Sequence, residues 1–219
     1  MRVPDAARLR DRLAIGNALD HLWGETMGLA ESDPKRTALR LVTEILEREG
    51  VRYALIGGVA VQLHTEEPRT TLDIDLAVRR YADVPSAALA SAGFEHTGRH
   101  EHSDNWRAPG SQPVRLRTAI QFSAEDVGIA DAVERAELVQ ADDDLRFRLA
   151  TVEDLIVLKL AAAGEPTRRL SKREHDLADV LALLEEHPDV MSPELEARLE
   201  DVRMRLAASS PRTPPNPKG

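Results

Sequence analysis

Apolar residues recur at helical spacing from the start of the chain. Leu9, Leu13, Ile15, Leu19 and Leu22 stand among Arg and Asp, which predicts a helix over residues 4–30. Asp33-Pro34 predicts the start of a second helix, with proline in the first turn, where a missing amide hydrogen removes no intrahelical bond. Leu39, Leu41, Val42, Ile45 and Leu46 form its apolar stripe, and Gly50 ends it. The period then changes. Tyr53-Ala54-Leu55-Ile56 reads as a buried strand, Gly57-Gly58 opens a short helix to His64, and TTLDIDLAV over residues 70–78 alternates as a half-buried strand does.

Further along, a helix is expected over residues 85–92, a meander of strands over 94–122, a helix over 126–136 and short strands over 138–149. Thr151 to Asp154 and Ser171 to Glu174 both read as capping boxes before apolar runs, and a last helix is expected over 193–207. The order is helices, a mixed middle, then helices. That is an α+β chain with a mixed sheet, not the regular alternation of a doubly wound one. The expected divisions are a helical extension over 1–50, a core over 51–150, a helical part over 151–208 that completes a cleft, and a Pro-rich tail over 209–219 expected to be disordered.

Composition narrows the field. The 219 residues contain 29 Lys and Arg against 38 Asp and Glu, a net charge of −9, which makes nonspecific nucleic-acid binding unfavourable. Cysteine is absent, so disulfides, thiolate metal sites and a thiol nucleophile are excluded, and a reducing cytoplasm is the expected setting. No apolar run approaches the roughly 18 residues of a membrane span, so no membrane partner is expected. GxSxG, Walker A and GxGxxG motifs are missing.

The densest chemistry lies in Leu72-Asp73-Ile74-Asp75-Leu76. In a strand, Leu72, Ile74 and Leu76 face one way and Thr71, Asp73 and Asp75 the other. The two carboxylates lie about 7 Å apart along the chain and repel. A divalent cation relieves that repulsion, and Mg²⁺ is commonly held by one or two carboxylates together with substrate phosphates. Two solvated aspartates on a wet sheet face are the plain alternative. Gly57-Gly58, between a strand and a helix start, makes a backbone concavity suited to phosphate. Arg69, just before the Asp strand, is a candidate phosphate anchor, a partner for a carboxylate, or an ordinary solvated loop residue.

Lys159 sits in a helix apolar nearly all round and must be paired or reach its edge. On the next helix Asp176 is expected to face the cleft, paired with Lys159, and Asp179 to lie further out. Arg168, Arg169, Lys172 and Arg173 form a basic run, either a solvated loop or a clamp for nucleotide or RNA phosphates. His96, His100 and His102 match no zinc spacing, and Asp142-Asp143-Asp144 reads as an acidic turn.

The ordered set LIGGVAVQLH, RTTLDIDLAV, VEDLIVLKLAA and SKREHDLADVLALL resembles the AbiEii-type nucleotidyltransferases, toxin–antitoxin proteins with the DNA polymerase β superfamily fold, over about residues 51–186. The resemblance implies that Gly57, Gly58 and Arg69 meet a triphosphate and that Asp73 and Asp75 bind Mg²⁺ or Mn²⁺. It also implies that Lys159 contacts phosphate and that Asp176 is a catalytic-site carboxylate. It implies an NTP substrate, an RNA (tRNA) or protein acceptor, and a cognate antitoxin. The wider superfamily often adds a third carboxylate from a later strand. The strand expected over residues 114–122 has none, leaving Asp176 or Glu125 to complete the set, or a nucleotide-binding, antitoxin-like protein with weak transfer. A transferase of the aminoglycoside-modifying kind is a third reading, one that would favour an acidic acceptor pocket.

Overall fold

The computed structural model describes residues 8–12, 14, 34–66, 71 and 73–209. Most of the expected first helix, Arg69, Leu72 and residues 210–219 lie outside the described residues. The chain divides into two compact units, Met1–Leu155 and Ile156–Gly219.

The first unit is built on a seven-stranded mixed sheet. Its strands are β1 (Tyr53–Ile56), β2 (Asp73–Val78), β3 (Glu95–His100), β4 (Ser103–Arg107), β5 (Ala119–Ser123), β6 (Glu137–Asp142) and β7 (Leu145–Leu149), in the spatial order β3-β4-β5-β2-β1-β7-β6. β1–β2, β3–β4, β4–β5 and β6–β7 pair antiparallel, while β1–β7 and β2–β5 pair parallel. Helix α1 (Pro34–Arg48) precedes β1, and helices α2 (Gly57–His64), α3 (Ser86–Ser91) and α4 (Ile129–Arg135) lie between strands. This is the α+β arrangement expected from the element order.

The middle strands are apolar because they are covered. Tyr53, Ala54 and Leu55 of β1, Ile74 and Leu76 of β2, Ile120 and Phe122 of β5 and Phe147 and Leu149 of β7 are fully buried, with Leu39, Val42 and Leu46 of α1 against the same core. The Tyr53 hydroxyl accepts the Arg148 amide at 3.2 Å, and the Arg148 guanidinium reaches Glu47 of α1 at 3.1 Å. Gly50 ends α1 at φ +67°, a left-handed conformation that glycine adopts readily. Residues 8–12 are helical and belong to this unit: Leu9 is buried, Arg12 Nη1 donates to the Leu63 carbonyl at 2.7 Å, and Gln62 donates to the Arg12 carbonyl at 2.8 Å.

Two expected elements are shorter than the pattern suggested. Val114–Leu116 is a 3₁₀ turn, so β5 begins only at Ala119, and Pro113 at its start cannot donate to a ladder. α4 begins at Ile129 after Gly128, whose left-handed φ of +82° opens the helix.

The second unit comprises Ile156 onward of α5 (Val152–Gly164), then α6 (Leu170–Glu186) and α7 (Pro193–Ser209). The Thr151 cap holds: its Oγ1 accepts the Asp154 amide at 3.2 Å and donates to the Asp154 carboxylate at 2.6 Å. The Ser171 cap does not form. α6 starts two residues earlier than that cap implies, at Leu170, with Arg169 as the flanking residue and no side-chain cap.

Candidate functional site

β2 places two acids in the middle of the sheet. Ile74 and Leu76 point into the core, while Asp73 and Asp75 are half-buried on the opposite face, as strand alternation requires. β2 lies between β1 and β5, so these carboxylates stand over a covered, rigid strand rather than a sheet edge.

The Gly-Gly turn meets them. Ile56, the last residue of β1, pairs with Asp75, so the next residue, Gly57, begins α2 beside the Asp75 side chain. Gly57 has φ +67°, and a Cβ added there would lie 2.0 Å from Asp75 Oδ2. A Cβ on Gly58 would lie 2.9 Å from Thr71 Oγ1. Both positions therefore need glycine by close approach, and Gly57 by its backbone conformation as well. First-turn amides of a helix have no intrahelical acceptor, and Ile56 supplies no side-chain cap. A carboxylate and an anion-accepting helix start thus share one small region, where charges of opposite preference can be met together by a cation and a phosphate.

β5 supplies the neighbour of this pair. The register sets Ala119 beside Asp73 and Gln121 beside Asp75, and Gln121 Nε2 donates to Asp73 Oδ2 at 3.2 Å. On β4, Asn105 stands opposite Gln121 and Arg107 opposite Ala119. The face therefore continues from Asp73 and Asp75 through Gln121 to Asn105. Gln121 escaped the sequence reading. Its signal was the alternation in Ala119-Ile120-Gln121-Phe122-Ser123, but its partner was set by long-range register. Glu125 is not part of the site. It follows β5 at φ +65°, beyond the Ala77–Ser123 pairing, at the opposite end of β2 from Asp73.

Lys159, Asp176 and Asp179 form a compact charge cluster in the second unit. Lys159 Nζ lies 2.8 Å from Asp176 Oδ1 and 2.8 Å from Asp179 Oδ2, and Arg168 Nη2 lies 3.0 Å from Asp176 Oδ2. The Lys159–Asp176 pairing agrees with expectation. Asp179 does not lie outward as expected: it is buried, because three residues along a helix return to nearly the same side and the ammonium draws both carboxylates inward. Arg173 is also corrected. It is buried, with Nε donating to the Ala163 carbonyl at 2.8 Å, so it holds α5 to α6 and is not a surface clamp. Arg169 and Lys172 are exposed.

His96 Nε2 lies 2.6 Å from Asp104 Oδ1, and its ring stands 4.8 Å from that of Trp106. Among the described residues, no three His, Asp or Glu side chains converge as metal donors. Asp73 and Asp75, with the Gln121 amide beside them, still fit a hard divalent cation that takes its other oxygens from water and phosphate.

No curated protein matches the chain significantly. Solved structures that share the fold include an antigenic nucleotidyltransferase-like protein from Paracoccidioides brasiliensis and JHP933 from Helicobacter pylori. The first is 19% identical with a TM-score of 0.52, over 80% of this chain and 89% of that one. The second is 17% identical with a TM-score of 0.52, over 78% of this chain and 75% of that one. The profile of a family described as nucleotidyl transferase AbiEii toxin, type IV toxin–antitoxin system, matches residues 40–217, a span that holds the Gly-Gly turn, the paired aspartates and the Lys159 cluster. The chain therefore belongs to the AbiEii nucleotidyltransferase toxin family.

Proposed function

We propose that this protein transfers a nucleoside monophosphate from an NTP to a hydroxyl of an RNA or protein acceptor, as the toxin of a toxin–antitoxin pair. The observation that carries this reading is the contact between Gly57 and Asp75, where a carboxylate and a helix start meet with no room for a side chain between them. The backbone amides at the start of α2 would take phosphate oxygens. Asp73 and Asp75 would hold Mg²⁺ or Mn²⁺, which when bound supplies electrostatic stabilisation of phosphate charge. Asp73 is oriented by Gln121, and Asp75 by its place on a central strand. Lys159 and Asp176 enter this reading through family likeness, as residues of the second unit, and so does a cognate antitoxin. An acceptor hydroxyl attacks the α-phosphorus and gives up its proton to water, a new P–O bond forms there, and pyrophosphate leaves with the electron pair of the broken P–O bond. Arg169 and Lys172, exposed on the second unit, are candidates for acceptor phosphate.

The test is a transfer assay. Purified protein, Mg²⁺ and each of four α-³²P-labelled NTPs are incubated with tRNA, with lysate or alone, beside Asp73→Ala/Asp75→Ala. Label entering RNA or protein with the wild type, and not with the double variant, supports the reading. NTP binding without label under any condition would instead favour a nucleotide-binding protein with lost transfer, a reading that the neutral Gln121 beside Asp75 supports.

A further inference from the structure

Gln121 touches the paired aspartates in two ways. It lies across from Asp75 on β5, and its amide nitrogen donates to Asp73 Oδ2 at 3.2 Å. The donated hydrogen bond fixes one oxygen of Asp73 and eases the repulsion between two acids on one strand face, and it adds no net charge. Next across the sheet come Asn105, neutral, and Arg107, which is cationic and donates to the Arg117 carbonyl at 2.9 Å. The β5–β4 side of the site thus contributes no negative charge among these residues. A glutamate has the same shape as Gln121 and would fit the same backbone position with a third carboxylate.

Cation affinity follows the number of charged ligands. Two carboxylates beside a neutral amide are a weak cage for a bare divalent ion. They are adequate for one whose remaining charge is balanced by the phosphates it carries. We propose that Gln121 is a positioning residue that orients Asp73 and suits the site to a divalent cation arriving as its nucleotide complex, rather than to the ion alone. This rests on the NTP-dependent reading above.

The test is calorimetric titration of the full chain with MnCl₂ alone, and with Mn²⁺ plus a non-hydrolysable NTP analogue, for wild type, Gln121→Glu and Gln121→Leu. The wild type is expected to bind the Mn²⁺–analogue complex at least about 10-fold more tightly than Mn²⁺ alone, and Gln121→Glu to bind Mn²⁺ alone about 10-fold more tightly than wild type. Gln121→Leu is expected to stay folded, as circular dichroism and a cooperative melt would show, and to lose about 10-fold in affinity for the complex, the usual effect of removing a group that orients a ligand. Equal Mn²⁺ affinity in wild type and Gln121→Glu would overturn the inference while leaving nucleotide binding intact. Wild-type protein that takes neither Mn²⁺ nor the complex would overturn both it and the transferase reading. Should Gln121→Glu fail to fold, unchanged affinity of Gln121→Leu for the complex would overturn the inference by itself.

Discussion

Gly57 carries two constraints in one residue. Its φ of +67° is a conformation that costs an L-residue about 1–2 kcal/mol. Its Cα also faces the Asp75 carboxylate at a separation that leaves no room for a methyl group. Gly57→Ala is therefore expected to lower stability by at least ~1–2 kcal/mol, with a further loss of nucleotide affinity as Asp75 is pushed aside. Chemical denaturation and NTP-analogue titration check the two effects separately. Tyr53 is governed by burial in a different way. Removal from water pushes its phenol above the usual range, although the Arg148 amide at its oxygen works the other way. The neutral phenol is thus favoured in the fold, and its contribution is complete below about pH 10 and falls away as pH rises above that. Wild-type stability should drop as pH rises above about 10 in denaturant titrations, and Tyr53→Phe should drop less.

Elements bring charges together that periodicity separates. α5 and α6 set Lys159 between Asp176 and Asp179, with all three side chains largely shielded from water. Removing one partner leaves buried charges uncompensated, so Lys159→Met is expected to cost about 3–5 kcal/mol. The triple change Lys159→Met/Asp176→Leu/Asp179→Leu should recover most of that, because it removes the desolvated charges as well as their attraction. Thermal melts of the four proteins decide the point: single, triple, wild type and Asp179→Leu. An activity loss in Lys159→Met alone would not separate catalysis from folding. Lys159→Arg keeps the charge and is the better probe of the phosphate role proposed for this position.

Across the first unit, Arg36 ties the start of α1 to the β6–β7 turn. It pairs with Asp142 at 3.0 Å and also with Asp144. Both carboxyls lie below the usual range: Asp142 chiefly through the Asp143 amide and then Arg36, Asp144 chiefly through the Arg36 guanidinium. Groups lowered in the fold add stability above the ordinary carboxylate range, and that stability is lost as pH falls through their folded values. Arg36→Gln should therefore be less stable than wild type near neutrality, with the difference shrinking below about pH 4. The gap is expected to be small and reduced by salt, since both carboxylates are exposed. Acid titrations of the two proteins at low and high salt read it directly. No described helix is long and apolar enough to cross a membrane.

Local sequence determined the elements whose signals are local. Strand alternation set Asp73 and Asp75 on one face, because successive side chains must point apart. Glycine at 50 ended a helix, and Thr151 capped one. The Gly-Gly turn and the paired acids could be read together because they recur as an ordered motif. Tertiary structure decided what depends on partners far along the chain. Gln121 became a neighbour of Asp75 through strand register, which a parallel crossover fixes and no short window contains. Glu125 left the site for the same reason. Asp179 turned inward because Lys159 on another helix drew it there, and Arg173 became a structural residue because α5 offered it a carbonyl. Periodicity reports which side of an element is apolar, whereas charge placement depends on what stands across the gap.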